Sequence, residues 1–306
     1  MLSRVASNIY WMARYIERAE NTARLVNVNT HLLLDLPKKI RLGWEPIIDI
    51  SSSRDEFYAL YSTADERSVV NFMVTDVKNP SSILSSLNMA RENARTIRDI
   101  IPREAWEQIN ELYLQSKSNA ASVLTHRHRY DYLRSIIIGA QTITGLLAGT
   151  MTHDEGYSFL RMGRNLERAD MTTRIIDVRS ATLLPEMTED LSPFENLQWV
   201  GVLKSLTAYQ MYRREVRLRV SRPDVLRFLL QEVRFPRALY HTLLEVESCL
   251  LTMPKHEKPL RLLKKMQRVL KLAKPQELKQ QKLHEFIDEL QLGLITINDS
   301  ISKTYF

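Results

Sequence analysis

Apolar residues recur every three to four positions along most of this 306-residue chain, the spacing of a buried helix face. Alternation with a period of two, which marks a strand with one buried face, is nearly absent. Glycine is scarce, at 8 residues. The pattern therefore predicts an all-α protein, with long helices near 3–34, 80–100, 103–118, 130–150, 154–184, 195–219, 236–252, 257–273 and 276–300, and shorter ones near 54–61, 65–74 and 223–233.

Local signals mark the start of three of these helices. Pro80 and Pro102 lie where a first turn is predicted, and proline suits that position because its missing N–H has no partner there. Thr152 or Asp154 is expected to cap the helix that follows, with Glu155 in its first turn.

A 15-residue segment occurs twice, with the copies 150 residues apart. Residues 12–26 read MARYIERAENTARLV, and residues 162–176 read MGRNLERADMTTRII, so that 7 of 15 positions are identical. A weaker match joins residues 72–80 to residues 228–236. These repeats predict an internally duplicated helical bundle with pseudo-two-fold symmetry.

The predicted domains follow from this duplication. They are a first helical repeat half at 1–150 and a second at 151–306, each beginning close to its copy of the motif. No Gly/Ser/Pro-rich linker separates the halves, so we expect them to share one core.

Helical spacing collects the charges of each motif on one face. Glu20 and Arg24, like Asp170 and Arg174, are four residues apart, in the order that favours an ion pair. Gly163 and its counterpart in the first copy, Ala13, are both small and allow two helices to approach closely. The candidate ligand-binding residues are Arg14, Arg18, Glu20, Arg24, Arg95, Arg164, Arg168, Asp170 and Arg174.

Three interpretations of these charges stay open. They form a solvated face, or a buried ion-pair core, or a polar cleft in which Glu17 and Glu167 face each other and Arg24 and Arg174 bind an anion. Glu17 and Glu167 are candidate catalytic residues, because paired carboxylates suit acid–base chemistry. Glu92 is a third candidate: it lies with Arg95 in the charged cluster 88–98, whose counterpart at 244–251 lacks both charges.

Composition narrows the function classes. The net charge is +7, the apolar content is 44%, and no apolar run is long enough to cross a membrane. The one cysteine, Cys249, is expected in the core, and with no signal peptide the chain is expected in the cytoplasm. The sequence contains no Glu-x-x-His pair, which a carboxylate-bridged di-metal site would need, so no metal site is expected. It also contains no glycine-rich phosphate-binding loop, so no nucleotide site is expected. Nucleic acid is not expected as a partner, since no recognition signature accompanies the basic charge.

Several segments together resemble one known family. Residues 13–24, 90–95, 106–110, 149–157 and 228–237 look like the signature of the bacterial alpha-E domain, named for its helices and its Glu-Arg (ER) motif. The resemblance covers essentially the whole chain. It implies an all-helical protein encoded beside, or fused to, a circularly permuted ATP-grasp ligase, often with a transglutaminase-like cysteine protease nearby. The family has no established catalytic residues to carry over.

The resemblance implies a role in ATP-dependent amide or peptide bond formation. We expect an accessory or acceptor-binding component with no cofactor of its own, working with a separate ligase that binds ATP and Mg²⁺. The alternatives are a free-standing enzyme acting on an amide or peptide through paired glutamates, and a non-catalytic basic scaffold for an acidic partner. A homo-oligomer is left open. On the first hypothesis, Glu17→Gln and Glu167→Gln abolish partner-dependent activity in a folded protein.

Overall fold

The computed structural model describes residues 1–35, 43–181, 192–216 and 219–306, and these residues form fourteen α-helices and no β-strand. The all-α prediction is confirmed, whereas the internal duplication and its pseudo-symmetry stay predictions. The helices are α1 (Ser3–Asp35), α2 (Glu45–Ile50), α3 (Arg54–Leu60), α4 (Glu66–Val74), α5 (Ile83–Thr96), α6 (Arg103–Ser118), α7 (His126–Thr150), α8 (Glu155–Ala181), α9 (Ser192–Ser205), α10 (Tyr209–Val216), α11 (Arg222–Gln231), α12 (Leu239–Leu251), α13 (Glu257–Leu272) and α14 (Gln280–Tyr305).

One compact unit, unit 1, comprises Met1–Asn27, Gly43–Glu167 and Tyr305–Phe306. Within it α5 packs against α6, and α6 against α7. Its aromatic core includes the edge-to-face pair of Phe57 and Phe72, with ring centroids 5.2 Å apart. Arg129 is also buried there, and its guanidinium pairs with Glu66, so this buried charge has a counter-ion.

The other compact unit, unit 2, comprises Val28–Leu42 and Arg168–Thr304, as far as these ranges are described. Helix α11 packs against α9, α12 and α13, and α12 packs against α13. The ring of Phe228 meets Tyr212 edge-to-face, with a centroid distance of 5.6 Å, and lies 5.1 Å from Phe235. The two units are defined by contacts in the structure. The halves 1–150 and 151–306 were inferred from the sequence repeat, and they stay a prediction.

The helix predicted at 195–219 is wrong, because the structure divides it into α9 and α10. Thr207, between the two helices, has φ +55°, a left-handed conformation that interrupts the helical hydrogen bonds. Residues 217–218 of that prediction, and the predicted end of the 154–184 helix beyond 181, lie outside the described residues. The short helix α2 was not predicted.

The start signals were correct for two of the three helices. The side chain of Asp154 accepts hydrogen bonds from the backbone N–H groups of Gly156 and Tyr157, at 2.8 and 3.2 Å, which confirms Asp154 as the cap of α8. Pro102 directly precedes α6, as predicted. Pro80 was assigned wrongly, because α5 begins three residues later, where Ser82 caps it by accepting from the N–H of Ser85.

Candidate functional site

The first copy of the motif lies on a helix that is buried almost all round. Met12, Ala19 and Val26 are fully buried, and so are Glu17 and Glu20 on the polar face, each 2% exposed. A buried carboxylate must be paired, because removing its charge from water is costly. The solvated-face interpretation is therefore wrong for these two glutamates.

Glu167, on α8, forms an ion-pair cluster with two arginines of α1. Its carboxylate accepts from Arg14 Nε at 2.8 Å, from Arg18 Nε at 2.6 Å and from Arg18 Nη2 at 3.0 Å. Helix α1 presents both guanidiniums on one turn, since the arginines are four residues apart. All three residues belong to unit 1, and their side chains have little exposure to solvent. We call this set the Glu167 cluster.

The cluster fixes the protonation state of Glu167. Its burial would raise the pKa of the carboxyl, but the charges and hydrogen bonds of Arg18 and Arg14 outweigh burial and lower that pKa to about 2. The same contact raises the pKa of Arg18, chiefly through the charge of Glu167. Glu167 is therefore a permanent anion at neutral pH.

Aromatic side chains of α1 hold the two arginines in place. The guanidinium carbon of Arg14 lies 5.0 Å from the centroid of the Trp11 ring, and that of Arg18 lies 5.4 Å from the Tyr15 ring. Such cation–π contacts limit the rotamers of both cations. The Glu167 cluster is thus rigid as well as electrically paired.

Each motif copy also forms its own ion pair within one helix. In α1, Arg24 Nε donates to Glu20 Oε1 at 2.9 Å, and in α8, Arg174 Nε donates to Asp170 Oδ2, also at 2.9 Å. The first pair belongs to unit 1 and the second to unit 2. Their acidic partners hold Arg24 and Arg174, so the predicted anion binding by these two arginines stays a prediction.

The remaining predicted residues lie on the same helices. Glu17 is buried on α1, and Arg164 and Arg168 are half-buried on α8. Gly163 faces α1 at very short range, because a Cβ at this position would lie 2.3 Å from the carbonyl oxygen of Tyr10. The predicted close approach at Gly163 is confirmed within unit 1.

The third charged cluster lies on the surface of α5. Glu92 is 37% exposed and binds Arg91 and Arg95, each at 2.8 Å. Arg91 also donates to Asn110 at 2.6 Å, which links α5 to α6. Exposed ion pairs of this kind stabilise a protein only weakly. Of the three candidate catalytic carboxylates, Glu92 is the accessible one.

A groove of about 430 Å³ lies beside the Glu167 cluster in unit 1. It brings together Arg18 of the motif and Asn88 of the α5 cluster, and the sequence had singled out both segments. Two cations, Arg18 and Lys117, line it, and the lining contains no carboxylate. The lining residues are Tyr15, Arg18, Val77, Pro80, Leu84, Ser85, Asn88, Met89, Tyr113 and Lys117.

Sequence reasoning missed Tyr113 and Lys117, which form the far wall of this groove. They are four residues apart on α6, and the Lys117 ammonium lies 5.9 Å from the Tyr113 ring. Arg91 approaches the same ring at 5.3 Å. The one available signal was a tyrosine and a lysine at helical spacing, which is too common to single out.

Two further expectations concern the burial of Cys249 and the lack of a membrane-spanning segment. Cys249 is fully buried, as predicted for a core residue. No helix among the described residues is long and apolar enough to cross a membrane.

The structure is that of an all-α protein in which a buried glutamate of one motif copy pairs with arginines of the other. The chain belongs to the Alpha-E family, described as a predicted α-helical domain with a conserved ER motif, and the family model matches residues 1–306. The resemblance inferred from the motifs is therefore confirmed.

Curated relatives include uncharacterised proteins of two mycobacteria. One from Mycobacterium bovis and one from Mycobacterium tuberculosis CDC 1551 are each 24% identical to this chain over 298 residues, and one from strain H37Rv is 23% identical. Each match covers 90% of this chain but only 33% of the relative, so the chain spans about a third of the relatives' length. No solved structure gives a significant match.

Proposed function

We propose that this chain is an accessory, acceptor-binding component of a system in which a separate ATP-grasp ligase forms amide or peptide bonds. Membership of the Alpha-E family supports this context. On this proposal ATP and Mg²⁺ bind to the ligase, and a transglutaminase-like protease is a second partner that cleaves the same kind of bond. The proposed setting is the cytoplasm, where ATP is available.

The groove beside Arg18 carries the proposal. An amino-acid or peptide acceptor has an amine that reacts and a carboxylate that does not. Lys117 suits that carboxylate, because a charge-assisted hydrogen bond is about twice as strong as a neutral one. Arg18 lines the groove beside it but already holds Glu167 through two hydrogen bonds. Tyr15 and Tyr113 provide apolar faces for the acceptor's side chain. On this proposal the acceptor's amine is left free to react on the ligase.

The state of Glu167 argues against the free-standing enzyme. A general acid or base works best with a pKa near the operating pH, whereas the pKa of Glu167 is lowered to about 2. Its oxygens are also occupied by Arg14 and Arg18. The basic-scaffold alternative makes a different prediction, namely binding that depends on salt but not on the groove.

The test is ATP hydrolysis by the ATP-grasp protein expected to be encoded beside this chain, measured with and without the chain over a panel of amino acids and short peptides. We expect this chain to stimulate hydrolysis with particular acceptors. Lys117→Ala removes an exposed cation from the groove and is expected to raise the acceptor concentration needed for half-maximal stimulation about tenfold, the effect of losing one charged hydrogen bond.

Lys271→Ala is the matched control, since Lys271 is an exposed lysine of α13 outside the groove. It should behave like the unaltered chain. Absence of stimulation together with absence of a complex would refute the accessory role. Stimulation that falls with salt but is unchanged in Lys117→Ala would favour the scaffold.

A further inference from the structure

Two carboxylates and one imidazole converge in unit 2, whereas the groove and the Glu167 cluster belong to unit 1. Asp177 lies on α8, and His284 and Asp288 lie four residues apart on α14. One ligand atom from each of the three lies within 4.8 Å of the other two. Because Asp177 and His284 are 107 residues apart in sequence, no motif could have indicated this cluster.

The two contacts of His284 have different characters. Its Nδ1 lies 2.7 Å from Asp177 Oδ1, which is hydrogen-bond distance. A carboxylate only accepts, so Nδ1 carries the proton in this contact. Its Nε2 lies 3.6 Å from Asp288 Oδ2, too far for a hydrogen bond. Two ligands on a tetrahedral Zn²⁺, with bonds of about 2.0–2.1 Å, are separated by about 3.4 Å, close to the observed gap.

We propose that His284 and Asp288 bind a divalent transition metal ion, with Zn²⁺ as the best fit, and that Asp177 orients the imidazole. The metal would lie between His284 Nε2 and the Asp288 carboxylate. Asp177 then plays the part that carboxylates commonly play behind a metal-binding histidine, fixing its tautomer and ring direction. An imidazole nitrogen with carboxylate oxygen is a ligand set suited to zinc.

The surroundings favour an open site. The side chains of His284 and Asp288 are 49% and 53% exposed, so water can fill the remaining coordination positions. The neighbouring Glu285 pairs with Lys282 at 2.7 Å and is not one of the three converging groups. Sites with open positions can accept a further ligand, whereas structural zinc sites are closed by four protein ligands. This inference stands apart from the proposed acceptor groove, which lies in unit 1.

The test uses the full chain, free of tags and stripped of metal with a chelator, and titrates it with ZnCl₂ in a calorimeter. We expect one Zn²⁺ per chain at micromolar concentrations. His284→Gln and Asp288→Asn should abolish this binding, and their exposed positions leave the far-UV circular dichroism unchanged. Asp177→Asn should weaken it by about 10- to 100-fold, the usual effect of removing a group that orients a metal-binding histidine. Cobalt substitution should give the visible absorption of a bound, imidazole-ligated ion.

Glu285→Gln is the matched control, a neighbouring exposed acid on the same helix, and it should bind zinc unchanged. No binding at micromolar Zn²⁺ would overturn the proposal and leave the cluster as a metal-free Asp–His–Asp bridge. Binding that persists in both His284→Gln and Asp288→Asn would also overturn it, because the zinc would then be held elsewhere. The readout is metal binding alone, so its failure would not affect the acceptor-groove proposal.

Discussion

Glu167 is a buried carboxylate that two arginines keep ionised. Its position implies a large contribution to stability, because the unfolded chain would hold the same carboxyl near its ordinary pKa of 4.5 instead of about 2. A difference of that size corresponds to about 3 kcal/mol. The contribution is present above pH 4.5 and is lost as the pH falls toward 2.

Glu167→Gln should therefore lower the free energy of unfolding at pH 7 by about 3 kcal/mol, since it leaves two guanidiniums without their anion. The difference between variant and unaltered chain should shrink as the pH falls from 4.5 toward 2. Chemical denaturation at a series of pH values measures both effects. The sequence hypothesis expected this variant to stay folded, and the burial of Glu167 adds the expectation that it folds with a clear loss of stability.

Glu107→Gln provides the comparison, because Glu107 pairs with Arg103 on the exposed face of α6. Its unfolding free energy should stay within experimental error of the unaltered chain at every pH. An equal loss in both variants would mean that the Glu167 cluster is no stronger than a surface pair.

The residues of the site were easier to predict than their partners. Arg14, Arg18 and Glu167 stand out because the motif repeats, but that repetition does not say which charges meet. The contact between Arg14 and Glu167 spans 153 positions, and only tertiary packing decides it. Tyr113 and Lys117 carry no motif, so their place in the groove had to come from the structure.

At the scale of elements, the helical period predicted where most helices lie, and it failed where backbone conformation decided the outcome. The apolar pattern runs through residues 206–208, yet the chain turns there at Thr207. The start of α5 depended on Ser82, whose side chain caps the helix, and not on the proline signal two residues earlier. Periodicity reports burial of a face, and it does not report a single left-handed residue.

Gly163→Ala should destabilise the protein by about 1–3 kcal/mol, because overpacking forces apart groups already in contact. The added methyl would meet the backbone carbonyl of Tyr10 at 2.3 Å, and a backbone atom cannot rotate away. Thermal and chemical unfolding measure the loss.

Gly145→Ala is the matched substitution, at an exposed position five residues before the end of α7, where an added Cβ meets nothing within 4 Å. It should stabilise the protein by up to about 1 kcal/mol, through helix propensity alone. Similar effects of the two substitutions would contradict the close approach at Gly163.

Thr207→Gly should stabilise the protein by about 0.5–1 kcal/mol, because a β-branched residue is strained at φ +55° and glycine is not. Thr252, at the end of α12, has an ordinary φ of −88°, so Thr252→Gly should destabilise instead. Opposite signs of the two changes in unfolding free energy are the expected result, and a loss in both would exclude strain at Thr207.

At the scale of the whole molecule, each unit is built from separate stretches of chain. Unit 1 contains residues from both the earliest and the latest parts of the sequence. The ring of Phe306 lies 5.2 Å from Tyr10 and 5.8 Å from Phe159, measured between centroids. The sequence predicted two consecutive halves and gave no sign of this aromatic contact.

Phe306→Ala should lower the unfolding free energy by about 1–3 kcal/mol, through the loss of half-buried aromatic area and two ring contacts. Hydrogen exchange should show the loss of protection in unit 1, around Tyr10. Phe286→Ala removes a half-buried ring of α14 in unit 2 and should weaken protection there instead. The same exchange pattern in both variants would contradict the assignment of Phe306 to unit 1.

The wide spacing of the Glu167 cluster has a consequence for biosynthesis. Arg14 and Arg18 emerge from the ribosome long before Glu167, which follows Arg14 by 153 residues. At translation rates of about 5–20 residues per second, Glu167 is synthesised roughly 8–30 s after Arg14. During that interval the side of α1 that meets α8 near Gly163 and Glu167 has no native cover, although α2 to α7 of unit 1 are already made. The nascent chain is therefore expected to be open to aggregation at this face of α1, and to benefit from a chaperone, until α8 is synthesised.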